Sequence, residues 1–177
     1  MSLSEREKEN RESRENREWV FVLDIPLMNE YQKYYQTSHP RSKKHPLKVS
    51  SKVVNLAPYP LSMNQTMIIK SRPQANALKQ AWKNFAIWWC EKLGYDGLML
   101  DGVEIYIEFY FSDKRERDIV DNYNLKYIND GFVSCGFIKD DNCKVIPKAH
   151  YIFKCVDREY PRTVIRFVKL KDEEIVE

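Results

Sequence analysis

Regular patterning of the chain begins at Trp19. Before it, residues 1–18 alternate Glu with Arg/Lys, Ser and Asn and hold almost no apolar side chain, a composition that reads as a disordered charged tail. "WVFVLDIP", residues 19–26, is a β-branched and aromatic run closed by proline and predicts a first strand. The following stretch, through "APYP", is polar, tyrosine-rich and broken by Pro40 and Pro46, which predicts a long basic loop. "TMIIK" predicts a short strand. Residues 71–94 predict a helix: Ser71 at its cap, Pro73 in its first turn, Gly94 at its stop, and Leu78, Trp82, Phe85 and Trp89 recurring as a buried stripe.

"GVEIYIEFYF", residues 102–111, alternates strictly. Val103, Ile105, Ile107 and Phe109 share one face, and Glu104, Tyr106, Glu108 and Tyr110 the other, as in a strand with one buried side. Residues 121–136 predict a second helix, with Asp121 or Asn122 as N-cap, Leu125, Ile128, Phe132 and Cys135 as its apolar stripe, and Gly136 as its stop. "FIKDDN" is a loop. Residues 144–156 and 162–170 predict two closing strands as antiparallel neighbours. There is no internal repeat. The order predicts one α+β domain over residues 19–177, a mixed β-sheet packed with two main helices.

With 177 residues and 43% hydrophobic content the chain suits a single core. No run approaches the roughly 20 apolar residues of a membrane span, and the first residues lack a signal-peptide core, so a cytoplasmic protein with no membrane partner is expected. Cys90, Cys135, Cys143 and Cys155 show no paired spacing and are expected as reduced thiols, three of them in or near the core. His39, His45 and His150 are too scattered for a histidine-metal nuclease motif. Five glycines leave no phosphate-cradling loop, which argues against nucleotide hydrolysis.

The net charge of +3 hides an asymmetry. From Tyr31 to Cys90 there is no Asp or Glu, while Lys33, Arg41, Lys43, Lys44, Lys48, Lys52, Lys70, Arg72, Lys79 and Lys83 give that span +10, leaving −7 for the rest. Such a span points to a polyanionic partner, nucleic acid first. Lys79 and Lys83 stand one turn apart, away from the buried stripe.

Between Ser112 and Asn142 stand six aspartates, among them Asp118, Asp121, Asp130, Asp140 and Asp141, around Lys126. Crowded carboxylates raise each other's energy unless a cation lies among them. Hard divalent ions take oxygen ligands, and such an ion activates water and stabilises charge on a phosphoryl group, with a nearby lysine assisting. Helix caps and turns account for Asp121 and Asp140 equally well. A single helix over this segment would hold its two acidic ends about 20 Å apart, so one site requires the loop after Gly136 to run back.

The segment from the Val103 strand to Asn142 resembles the RusA family of Holliday junction resolvases. Its pattern is an acidic strand, an arginine-rich turn, D-x-D-N-x-x-K, a helix with a further Asp, then a glycine and an Asp-Asp pair. Here these are Glu108, "KRER", Asp118, Asp121–Asn122, Lys126, Asp130, Gly136 and Asp140–Asp141, with one extra residue on each side of the "DN". "IPLMNEYQKYY" is similar to the family's opening segment. The resemblance implies a homodimeric endonuclease, dependent on Mg²⁺ or Mn²⁺, that resolves four-way junctions by paired nicks. It implies Asp118, Asp121 and Asp141 as ligands with Asp140 as the substitute, Lys126 on phosphate, and Arg115, Arg117 and the basic span from Lys33 to Lys83 on the DNA arms. The competing readings are a non-catalytic branched- or single-stranded-DNA-binding protein, with Tyr31, Tyr34, Tyr35 and Tyr59 stacking on bases, and an interaction domain for an acidic protein.

Overall fold

The computed structural model describes residues 18–42, 44–48, 57–67, 69, 71–123 and 125–170, with the backbone alone for Asp121 and Asn122. The elements are β1 (Glu18–Asp24), α1 (Ile25–Ser38), α2 (Met63–Met67), α3 (Arg72–Leu93), β2 (Val103–Phe111), α4 (Ile119–Asn122), α5 (Lys126–Ser134), β3 (Lys148–Val156) and β4 (Arg162–Lys169). The expected α+β class and mixed sheet are both present. Strand order is β1-β4-β2-β3, with β4 antiparallel to β1 and β2, and β3 parallel to β2.

This order corrects the expectation that the closing strands are neighbours: β2 lies between β3 and β4. Burial explains the exchange. Thr163, Ile165 and Phe167 of β4 are fully buried, as an inner strand requires, whereas β3 carries exposed residues along most of its length and suits an edge. A parallel pair cannot be joined by a hairpin, so the chain from Ser112 to Pro147 is one crossover that must return to the start of β2. All of the acidic segment lies in this crossover.

The apolar face of the sheet meets the helices around Phe21, whose ring lies 4.5 to 5.8 Å from those of Trp89, Tyr95, Phe132, Phe137 and Phe167. The helix predicted over 71–94 is α3, with Leu78, Trp82, Phe85 and Trp89 buried and Gly94 ending it in a left-handed turn. Two of the four thiols join the core rather than three: Cys90 is buried and Cys135 half-buried, while Cys143 and Cys155 are exposed. Among the described residues no helix is long and apolar enough to cross a membrane.

Three segments differ locally from expectation. First, Pro26 opens a helix as well as ending a strand. Asp24 accepts the Leu27 N–H (2.8 Å), Pro26 occupies the first turn, and Met28 and Tyr31 are buried one turn apart, so the front of the expected loop is α1. Residues 49–56 of that loop and the tail to residue 17 lie outside the described residues. Second, the front of "TMIIK", Thr66 and Met67, ends a helix instead of opening a strand, and Ile68 and Lys70 lie outside the described residues. Ser62 and Gln65 cap each other's N–H groups (3.1 and 3.0 Å) and start α2. Third, the second predicted helix is broken. Tyr123 turns into the core against Phe109, Phe111 and Tyr59 and pairs with Ser62, which separates α4 from α5. Neither Asp121 nor Asn122 caps α5; its N-cap position is Leu125.

The second face of β2 is also covered. Glu104 and Glu108 are 8% and 6% exposed, which uncompensated carboxylates do not tolerate. Glu104 accepts from Lys148 (3.0 Å) and Tyr106 (2.9 Å), and Glu108 from Arg166 (2.6 Å) and Tyr110 (3.4 Å). The Lys148 bond, aided by Tyr106 against the opposing effect of burial, holds Glu104 below the ordinary carboxylate range.

His45 ties the basic loop to α1. Its Nδ1 accepts the Leu47 N–H (3.2 Å), so the ring proton is on Nε2, which donates to the Met28 carbonyl (3.0 Å). Burial, with Lys48 adding, pushes the imidazole below its ordinary value of 6.5, although the Met28 carbonyl works the other way. A depressed folded value means stability that is complete above the unfolded value and is lost as pH falls. Acidification from pH 7.5 to 5.5 therefore destabilises the wild type through His45. Glu104, depressed from a lower starting value, acts further into acid. Denaturant midpoints should show a flatter profile in that window for His45→Gln; coincident profiles would refute the assignment.

Candidate functional site

The crossover opens with a tight basic turn. Asp113 binds Arg115 through Nη2 (2.8 Å) and Nε (3.0 Å), and Arg117 at 2.8 Å. These partners, Arg115 first, hold the Asp113 carboxyl far below its usual range. Arg117 also stacks its guanidinium over Phe111, 4.3 Å from the ring centre, and only 13% of its side chain is exposed. Arg117 thus braces the turn, while Arg115, 81% exposed, faces solvent. Asp118 follows; its Oδ1 accepts the Val120 N–H at 3.2 Å, the local bond that starts α4.

Across the chain, α5 and the return loop meet. Gly97, Met99 and Leu100 donate their N–H groups to the carbonyls of Cys135, Gly136 and Phe137, and Lys139 donates back to Leu100. This stitching turns the chain after Gly136 back alongside the strand entering β2. It carries Asp141 to Lys126: Nζ lies 3.8 Å from Asp141 Oδ2 and 3.8 Å from Asp130 Oδ1. The return of the loop removes the distance that a single long helix would have imposed. Lys126 and Asp130 share a face one turn apart, whereas Asn122 lies in a different helix.

Lys126, Asp130 and Asp141 are 60%, 38% and 32% exposed at the side chain. Exposed pairs of this kind contribute about 0–1 kcal/mol to stability. The fold does not depend on them. Asp140 takes no part in it: Oδ1 accepts the Asp141 N–H and Oδ2 the Asn142 amide, both at 2.7 Å, which makes it the turn residue that sets Asp141 in place. The Asp121 side chain lies outside the described residues. Glu108, the acidic strand position, binds Arg166 and Lys154 on the sheet face turned away from the helices.

Among the described residues no three His, Cys, Asp or Glu side chains group as a metal cage. What the geometry offers is two carboxylates, Asp130 and Asp141, on one cation. A magnesium ion that keeps most of its waters and completes its shell with substrate phosphate uses one or two carboxylates, so the donor set fits that mode of binding. Asp130 was legible as a companion of Lys126 by its spacing but was not in the expected ligand set.

The basic residues are dispersed. Lys33, Arg41, Lys44, Arg72 and Lys79 are exposed, Lys48 and Lys83 half-buried, and Lys43, Lys52 and Lys70 outside the described residues. Lys79 of α3 stands over Tyr127 of α5, 5.3 Å from its centre, one residue along from Lys126. Of the tyrosines considered for base stacking, Tyr31 and Tyr59 are buried, Tyr35 stacks on His39 at 4.1 Å, and Tyr34 is 52% exposed. Compared with family models and with curated proteins, the chain matches none.

Proposed function

We propose that this chain is a divalent-metal-dependent, structure-selective DNA endonuclease that resolves four-way junctions by paired symmetric nicks. It acts as a homodimer in the cytoplasm of a bacterial or phage-infected cell. The observation that carries the reading is the return of Asp141 to Lys126 and Asp130, because these exposed groups gain the fold little and Lys126 is next in sequence to Tyr127, over which Lys79 of α3 stands. Asp130 and Asp141 would hold the ion, with Asp118 and Asp121 as the ligands that the RusA-like motif implies. When bound, a divalent ion supplies activated water and stabilises charge on phosphorus. Lys126 presents its ammonium to the scissile phosphate, where it neutralises developing charge. Lys79 and Arg115 position the backbone on either side.

The test is binding and nicking of a labelled synthetic four-way junction against linear duplex. In EDTA the protein should bind the junction in preference, and Mg²⁺ or Mn²⁺ should convert it to nicked duplexes. If Lys33, Arg41, Lys44, Arg72, Lys79 and Arg115 each neutralise one phosphate, log affinity should fall with log salt at a slope of roughly −5. Junction binding without nicking would leave the non-catalytic reading, and equal affinity for duplex with a flat salt response would remove both.

A further inference from the structure

We infer that a cavity beside the acidic segment receives one unstacked nucleotide of the branched DNA, an inference that rests on the nucleic-acid reading above. The cavity is an open hollow of about 330 Å³, with Tyr59, Pro60, Ser62, Gln65, Arg115 and Tyr123 among its lining residues. Its place is set by the pairing of Ser62 with Tyr123, two residues beyond Asp121. Its volume is at the lower end of small-ligand pockets, the scale of a single base with its sugar.

The two tyrosine walls are held by packing. The Tyr59 and Tyr123 rings stand 5.8 Å apart at 64°, and each packs 5.0 Å from a phenylalanine of β2, Phe111 and Phe109. The Tyr59 hydroxyl accepts the Ser112 N–H (3.0 Å), fixing that ring to the start of the basic turn. The polar groups are mainly donors. Gln65 has its carboxamide oxygen held by the Ser62 N–H, which leaves Nε2 as its outward end. Arg115 uses Nε and Nη2 on Asp113, which leaves Nη1. The donors suit a base edge rich in carbonyl and ring-nitrogen acceptors, with the buried Tyr59 and Tyr123 rings as apolar lining rather than as stacking faces. Glu116 also lines the cavity and opposes a phosphate inside it, so the phosphate belongs at the Arg115 rim and the base within. At a branch point the stacking that extrusion must break is already weakened, which keeps the cost of unstacking low.

A junction carrying 2-aminopurine at each position flanking the branch tests this in EDTA, where no strand is cut. Wild type should raise the fluorescence at one position on binding. Ala57→Trp, which fills the cavity from its exposed rim, and Gln65→Leu should each shrink that rise by roughly fivefold or more, the scale of one lost base contact. Junction affinity, set mainly by phosphates, should change far less. Thermal melts of both variants check that they are folded. Binding with no rise at any position, or a rise unchanged in both folded variants, overturns the inference and leaves the nuclease reading standing; failure of wild type to bind the junction overturns both.

Discussion

Gly131→Ala will destabilise the protein by about 3 kcal/mol, a loss at the upper end for overpacking a tight interface. α5 crosses α3 so closely that a Cβ at residue 131 would lie 2.6 Å from the Ala86 Cβ and 2.6 Å from the Lys83 carbonyl oxygen. The second contact decides the sign, because a helical backbone cannot move aside as a side-chain tip does. Alanine gains about 1 kcal/mol of helix propensity over glycine, too little to offset the clash. For a chain of this size the melting temperature should fall by roughly 6–12 °C. Adding Ala86→Gly should recover only part of the loss, since the Lys83 carbonyl remains. A calorimetric scan within about 2 °C of wild type would show that the helices have room. Because α5 carries Lys126 and Asp130, the same substitution should also disturb the Lys126 cluster.

Much of the frame was legible. The stripe of α3 and the alternation of β2 are dense apolar signals whose period is unmistakable, and both elements stand where expected. α1 was hidden because its core-facing positions are Met28 and Tyr31 in a polar background; a tyrosine read as polar erases the helical period. The capping box of Ser62 and Gln65 was a local signal that the apolar "MII" outweighed. The pairing of β3 with β2 was not legible at all, since strand partners are chosen by burial across the whole sheet and not by neighbouring residues. That pairing matters most for the site. A parallel β3 makes the acidic segment a crossover, and within it the return of the chain after Gly136 brings Asp141 to Lys126. The sequence thus offered the residue types, while their meeting depends on topology. The resemblance put Asp141 first with Asp140 as its substitute, and the hydrogen bonds make Asp140 the turn residue beside it.

Asp141→Asn should therefore reduce junction nicking by roughly 10²–10³-fold, the scale of removing one charged group from a phosphoryl-transfer centre. Among the described residues its carboxylate is one of two near Lys126, and an amide holds a hard cation more weakly than a carboxylate and does not match the lysine's charge. The loss should not come through folding, because an exposed pair supports about 1 kcal/mol at most. Asp140→Asn should leave nicking within roughly tenfold of wild type, because asparagine retains the Oδ1 acceptor for the Asp141 N–H and suits the same turn.

The measurement to make is the rate of paired nicking of a labelled four-way junction, with Mg²⁺ and with EDTA, for wild type, Asp141→Asn and Asp140→Asn side by side. Metal-dependent symmetric nicks that vanish in Asp141→Asn and persist in Asp140→Asn are the predicted result. Junction nicking that survives Asp141→Asn, or that is lost only in Asp140→Asn, would mean that the meeting of Asp141 with Lys126 and Asp130 is not the catalytic centre.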